Sequence, residues 1–202
     1  GLATEADAFL YAPGSWAYQA IAGRPKFDVN KAKAFLAQSG YPDGLDLPIL
    51  CHSAPAVQQQ TQIYQEALRQ VGIRSEITVL AVSEATTRMF RTGGVPLYST
   101  TWGVSAFPDS AVKSTLSKDG FYNPAKTQSN DLQTLIEKAT TTYDEEERKD
   151  LFNEIALMDL DQCLFVPVLY GTTFAGARKN VAGLENIWRP GSTWIYDTVS
   201  LS

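Results

Sequence analysis

Residues 28–80 constrain the fold more than any other stretch, because they spell out one strand–helix–strand unit and the helix that leads into it, with the ends marked. Asp28 has the chemistry of a helix cap, and Ala32, Phe35 and Leu36 then recur at helical spacing. Gly40 ends that helix, since glycine takes the left-handed conformation after a last turn without steric cost. Pro42, Asp43 and Gly44 make a turn, and Leu45 to Cys51 reads as a short apolar strand. A glutamine-rich helix follows, with Ile63, Tyr64, Ala67, Leu68 and Val71 on one face. Gly72 stops it, and Ile73 to Leu80 returns as a second strand. Two strands joined by a long helix predict parallel pairing with a right-handed crossover.

The remainder extends this pattern. Residues 1–27 read as an extended lead-in segment punctuated by Pro13, Gly14, Gly23 and Pro25. Ser83 starts a short helix reaching Thr92, and Leu97 to Trp102 is the third strand. Its hydroxylated residues Ser99, Thr100 and Thr101 suggest that one face meets water or a ligand. Asp109 caps a short helix to Ser117, and Asn130 begins another carrying Leu132, Leu135, Ile136 and Ala139 on one face. Asp144 and Glu147 have capping-box spacing before a helix that buries Leu151, Phe152, Ile155 and Met158. Leu164 to Tyr170 reads as a fourth strand. The expected fold is α/β, a mainly parallel sheet flanked by helices. Strands near 46–51, 74–80, 96–102 and 164–170 share one sheet in this reading, the first of them central.

Composition excludes several functions. Hydrophobic residues make up 44% of the 202-residue chain and charged residues 19%, which suits a folded core. The net charge is −5 with no long basic run, which argues against nucleic acid as a partner. No apolar run approaches the length of a membrane span. Cys51 and Cys163 each read as strand-edge residues, and two buried free thiols is the favoured reading over a disulfide. The single histidine, His52, adjoins Cys51, but neighbours on a strand point to opposite faces and cannot form a catalytic pair. No zinc-type ligand cluster, phosphate loop or singled-out pair of acids is present, so neither metal nor cofactor is expected.

The segment Trp102 to Asp109 is the best candidate for a binding edge. Ligands of open α/β sheets sit beyond the carboxyl ends of the strands, and this loop leaves the third strand there. A tryptophan offers such a site a flat apolar face, although Trp102 also suits a core position.

The segments "FDVNKAKAFLAQSGYPDGLDLPILCHSAP", "ALRQVGIRSEITVL", "LYSTTWG" and "YDEEERKDLFNEIALMDLDQCLFVPVLYG" follow one another in the order of a known family. Together they resemble the extracytoplasmic solute-binding proteins of peptide, nickel and glutathione-type ABC importers. The resemblance implies one lobe of a type II periplasmic-binding-protein fold. It implies that the chain is the C-terminal portion of a longer exported protein. Residues 1–172 would be the ligand-binding lobe, and 173–202 a tail returning to the missing N-terminal lobe. Expected ligand contacts are Trp102, Gly103, Val104, Ser105 and Tyr170. Peptide-binding members carry an aspartate three residues after the tryptophan and, in some, an arginine on the preceding strand. Here those places hold Ser105 and Ser99, so the charge anchors for a peptide are missing, and "TWGVSAFPDSAV" is closer to glutathione-binding relatives. The implied role is binding a peptide-like, glutathione-like or other small polar solute for ABC permease subunits, without catalysis, in the periplasm or another extracytoplasmic space. A stand-alone α/β hydrolase or transferase, or a sensory domain of the same fold, are the alternatives.

Overall fold

The computed structural model describes residues 3–8, 10, 11, 13–103, 107–172, 174–187 and 196–201. In chain order the elements are β1 (Ala3–Glu5), α1 (Val29–Gln38), β2 (Leu45–Asp46), β3 (Ile49–His52), α2 (Pro55–Gln70), β4 (Ile73–Arg74), β5 (Ile77–Leu80) and α3 (Val82–Thr87). They continue as β6 (Leu97–Ser99), α4 (Pro108–Thr115), α5 (Asn130–Ala139), α6 (Glu145–Gln162), β7 (Leu169–Gly171), β8 (Val181–Ala182) and β9 (Ser200–Leu201). A π-turn, Arg88–Thr92, extends α3, and a 3-10 turn, Leu184–Asn186, precedes the tail. The chain divides into two compact units, Pro25–Trp102 and the combination of Gly1–Arg24 with Gly103–Ser202.

The Pro25–Trp102 unit is the expected βαβ device. β3 lies between β5 and β6, parallel to both, with Ile49 opposite Ile77 on one side and Leu97 on the other. Strands buried on both faces read as continuous apolar runs, and all four residues of β3 are buried. The strand expected from Leu45 to Cys51 is broken at Pro48, which lacks the N–H a ladder needs. β2 therefore pairs with β4 in a parallel ladder of its own. The N–H groups of Leu47 and Ile49 bridge the gap by donating to Arg74 and Glu76 carbonyls, each at 2.8 Å.

Two of the glycines that punctuate this unit meet. Gly44 has φ +86°, and a Cβ placed there would lie 1.9 Å from the Gly72 carbonyl oxygen. The turn after α1 and the turn after α2 thus touch backbone to backbone, which only glycine at 44 permits. Asp28 caps α1 by accepting the Lys31 N–H at 2.9 Å, as its position suggested. Yet α1 has no fully buried residue: Ala32 and Leu36 are half-buried, and Phe35 points outward at 55% exposure. On α2 the inward stripe is Val57, Thr61, Tyr64, Leu68 and Val71. Ile63, expected on that face, is 68% exposed, because it sits about 100° of helical turn away from Tyr64.

The other unit is held by a helical core. Val112 and Leu116 from the α4 region, Leu132 and Ile136 of α5, and Phe152 and Ile155 of α6 close on Leu10, Tyr11 and Ala17 of the lead-in segment. Phe152 is fully buried and meets Tyr11 and Trp16 edge-on, with ring centroids 5.6 and 5.5 Å away. Asp144 caps α6 by accepting the Glu147 N–H at 2.8 Å, as the capping-box spacing required. Ser129, one residue before the expected start, caps α5. Phe107, without a side-chain cap bond, precedes α4 and leaves Asp109 in its first turn.

The fourth strand is where sequence and structure part. Residues 164–168 form no strand, and β7 pairs antiparallel with β1 instead of joining the β5–β3–β6 sheet. Cys163 takes a left-handed φ of 52° at the end of α6, and the N–H groups of Leu164 and Phe165 turn back to the Asp159 carbonyl and carboxylate. Pro167 then contributes no donor. Cys163 is exposed rather than buried, Cys51 is fully buried, and both are free thiols. In the tail, β8 and β9 pair antiparallel, Ile187 is buried, and Phe174, Tyr196 and Leu201 are exposed. Trp188 and Trp194 lie outside the described residues.

Candidate ligand-binding edge

Parallel strands all leave a sheet on one side. β3, β5 and β6 end at His52, Leu80 and Ser99, and Trp102 lies three residues beyond the last of these. Each crossover back to the sheet begins with a helix on this edge, α2 after β3 and α3 after β5. The edge is therefore built from Ser53–Pro55, Ala81–Val82 and Thr100–Trp102, all of them uncharged.

Trp102 is half-buried, with the Phe90 ring edge-on to it at 6.3 Å. Phe90 also packs edge-on against Tyr98 at 5.9 Å, so one phenylalanine braces β6 and the tryptophan beyond it. Phe90 comes from the π-turn, whose extra residue re-aims the side chains of a helix end. One cue for it is legible in the sequence, the Gly93-Gly94 stop that places a helix terminus here; the π geometry has no comparable signature.

Ser99 is 6% exposed and faces inward. The Thr61 hydroxyl of α2 lies 2.8 Å from the Ser99 hydroxyl and donates to the Val57 carbonyl at 2.7 Å. With that donation made, the Ser99 hydroxyl is the donor of the pair. The position that holds a charge anchor in some peptide binders thus ties β6 to α2. His52 is also buried, and its Nδ1 faces the Ala54 N–H at 3.4 Å, which makes it a brace for the start of α2.

Gly103 follows as an exposed residue, and Val104 and Ser105 lie outside the described residues. Tyr170 belongs to the other unit, on β7. Its hydroxyl accepts the Ala8 N–H at 3.1 Å and stands within donating distance of the Ala8 carbonyl (2.7 Å), the Tyr11 carbonyl (2.9 Å) and Asp7 Oδ1 (3.1 Å). Burial, aided by the charge of Asp7, pushes this phenol above its ordinary range. Burial would likewise raise Asp7, but hydrogen bonds from Tyr18, the Ile21 N–H and Tyr170 outweigh it and hold that carboxyl low. Tyr170 is thus the knot that fastens the lead-in segment.

Among the described residues no group of three or more His, Cys, Asp or Glu side chains is placed to hold a metal ion. Nor, among them, is any helix long and apolar enough to cross a membrane. What this edge offers is an aromatic face, hydroxyls and backbone groups, which suits reversible binding.

The model of the family described as bacterial extracellular solute-binding proteins, family 5 Middle, matches residues 1–124. The glutathione-binding protein GsiB of Salmonella paratyphi A is 24% identical over 193 residues, which is 91% of this chain and 37% of that protein. Heme-binding protein A of Haemophilus influenzae is 23% identical over 181 residues, 85% of this chain and 32% of that protein. Among solved structures, HbpA2 from Haemophilus parasuis superposes with a TM-score of 0.82 at 20% identity, over all of this chain and 41% of that one. The dipeptide binding protein from Pseudoalteromonas sp. SM9913 in complex with Met-Leu gives 0.80 at 22% identity, over 99% of this chain and 40% of that one. The chain therefore spans about two fifths of the length of the proteins it matches.

Proposed function

The chain belongs to the family 5 bacterial extracellular solute-binding proteins, and from that premise we propose that it is the C-terminal lobe of a substrate-binding component of an ABC importer. In this reading residues 1–172 form the lobe and residues 173–202 return toward the rest of the parent protein. The work is done outside the cytoplasm. Two lobes close on a solute, and the closed form delivers it to permease subunits in the membrane. The role is binding without turnover. The relatives support this reading, being glutathione-, heme- and dipeptide-binding proteins.

The observation that carries the proposal is the uncharged carboxyl edge of the parallel sheet, with Trp102 braced there by Phe90. Trp102 would stack on the solute, and Gly103, Val104 and Ser105 would supply backbone and hydroxyl contacts. Tyr170 would contribute only its ring, because its hydroxyl is engaged by Asp7, Ala8 and Tyr11. An edge without charged anchors favours a solute held by hydroxyls and backbone groups, peptide-like or glutathione-like, over one gripped by ion pairs.

Calorimetry on the full-length parent protein, with the solute it retains on purification, tests this. Trp102→Ala is expected to weaken binding at least about tenfold, which is ~1.4 kcal/mol, while the thermal transition stays in place. The isolated chain should bind the same solute far more weakly, since one lobe encloses about half of it. Unchanged affinity in the Trp102→Ala protein would make Trp102 a core residue and move the site elsewhere.

A further inference from the structure

The unit containing α4, α5 and α6 has a cavity of about 400 Å³ that the solute-binding reading leaves unused. Three separate stretches of chain build it. Trp16 comes from the lead-in segment, Phe107 and Asp109 from the start of α4, Tyr143 and Glu145 from the turn into α6, and Arg148 from the first turns of α6.

Its floor is rigid. The Arg148 guanidinium lies 4.8 Å from the Trp16 ring centre and 5.8 Å from that of Phe152, and donates from one Nη to Asp109 Oδ2 at 2.6 Å. That ion pair offsets the charge of both partners. Its lip is aromatic and acidic. Tyr143 is 99% exposed and Phe107 72% exposed. Glu145 makes no ion pair among the described residues, and the exposed Glu146 follows it. Both helix N-termini here already have their positive ends answered. Asp144 caps α6, Glu145, Glu146 and Glu147 fill its first turn, and Asp109 fills that of α4. An anion would therefore meet carboxylates rather than free N–H groups.

We propose that this cavity binds a cationic organic group, an ammonium or guanidinium on an apolar body. Aromatic faces attract such cations through their quadrupole, and Glu145 supplies the opposite charge. A volume of this size suits a small ligand or a single basic side chain. Phe107 and Asp109 close the segment that begins at Trp102, but none of Trp102, Gly103, Val104, Ser105 and Tyr170 lines this cavity, so either proposal can fail without the other.

The test uses the chain itself, ¹⁵N-labelled, with the Trp16 indole resonance as the readout. The probes are benzyltrimethylammonium, acetyl-arginine amide and, as an anion of similar size, benzoate. At least one cation should shift the Trp16 signal with a dissociation constant on the order of 1 mM. Glu145→Gln and Tyr143→Ala alter exposed side chains and leave the fold intact; each should weaken that binding about fivefold, and added salt should weaken it too. Tighter binding of acetyl-arginine amide would assign the cavity to basic peptide side chains, and tighter binding of the quaternary ammonium to a small-molecule amine. No shift with either cation at 10-fold the expected constant, an equal response to benzoate, or full binding in the Glu145→Gln/Tyr143→Ala double variant would overturn it.

Discussion

The two units solve the problem of closure in opposite ways. In Pro25–Trp102 every strand of the central sheet pairs with a near neighbour in sequence, β3 with β5 and with β6, and each connection is one helical excursion. In the other unit the lead-in segment meets residues more than 150 positions away, where Tyr170 takes hold of Ala8 and Tyr11. The first unit is built from backbone ladders and turns, and its critical contact is glycine against glycine. The second is built from side chains that converge on Phe152. A fold closed by local backbone geometry tolerates change in side chains better than change in turns, and a fold closed by a core behaves the other way round.

The largest effect should come from the core. Phe152→Ala removes a fully buried ring that contacts both Tyr11 and Trp16. It should cost about 4 kcal/mol, read as lost amide-exchange protection in α5 and α6. The comparison breaks if protection in β3 and β5 falls by as much.

A turn variant should strike the other unit nearly as hard. Gly44→Ala places a methyl group 1.9 Å from the Gly72 carbonyl oxygen at a φ of +86°. Left-handed strain and the forced separation of the two turns together should cost about 3 kcal/mol, seen as faster exchange in β2, β3 and β4. Gly72→Ala is the control. A Cβ there comes no nearer than 3.6 Å to Gly44, so only the strain of its φ of +95° remains, and about 1 kcal/mol should be lost. Equal losses at the two positions would mean that the close approach contributes nothing.

This difference also decides what could be read from the sequence. Asp28, Gly40, Gly44 and Gly72 announce their roles locally, and the order of β3, α2 and β5 followed from them. Trp102 could be placed at the sheet edge for the same reason, because strand direction determines at which edge of the sheet the residues after a strand emerge. The turn at Cys163 could not be read, since its cause is a buried carboxylate four residues earlier and a left-handed cysteine, a conformation that residue type rarely takes. Nor could the pairing of β7 with β1, which joins residues far apart in the chain and needs Tyr170 to reach across it. The inward turn of Ser99 toward Thr61 was hidden as well, because a hydroxyl suits a buried pair as readily as a ligand contact.

A smaller effect than those of Phe152→Ala and Gly44→Ala, and one with a distinctive pH signature, belongs to Asp159. Its side chain is 2% exposed in the helical core, and Oδ1 accepts the Phe165 N–H at 3.0 Å. Burial outweighs that hydrogen bond and pushes the carboxyl up to about 7 from an ordinary 3.8. The folded state then holds a proton between about pH 4 and pH 7 that the unfolded chain has released. Stability of this unit should accordingly be fullest below pH 4 for this group, fall as pH rises toward 7, and level off above it. Full ionisation corresponds to about 4 kcal/mol by pKa arithmetic. Asp159→Asn keeps an oxygen for the Phe165 N–H and removes the charge. Its buried NH₂ carries a cost of its own, so about half of that, ~2 kcal/mol, should be recovered at pH 8. At pH 5 the variant should gain nothing, because the native aspartate is already neutral. Urea unfolding at the two pH values reads the difference directly. A gain of equal size at both would show that Asp159 is already charged in the folded state at pH 5, and that the core of this unit is blind to pH over that range.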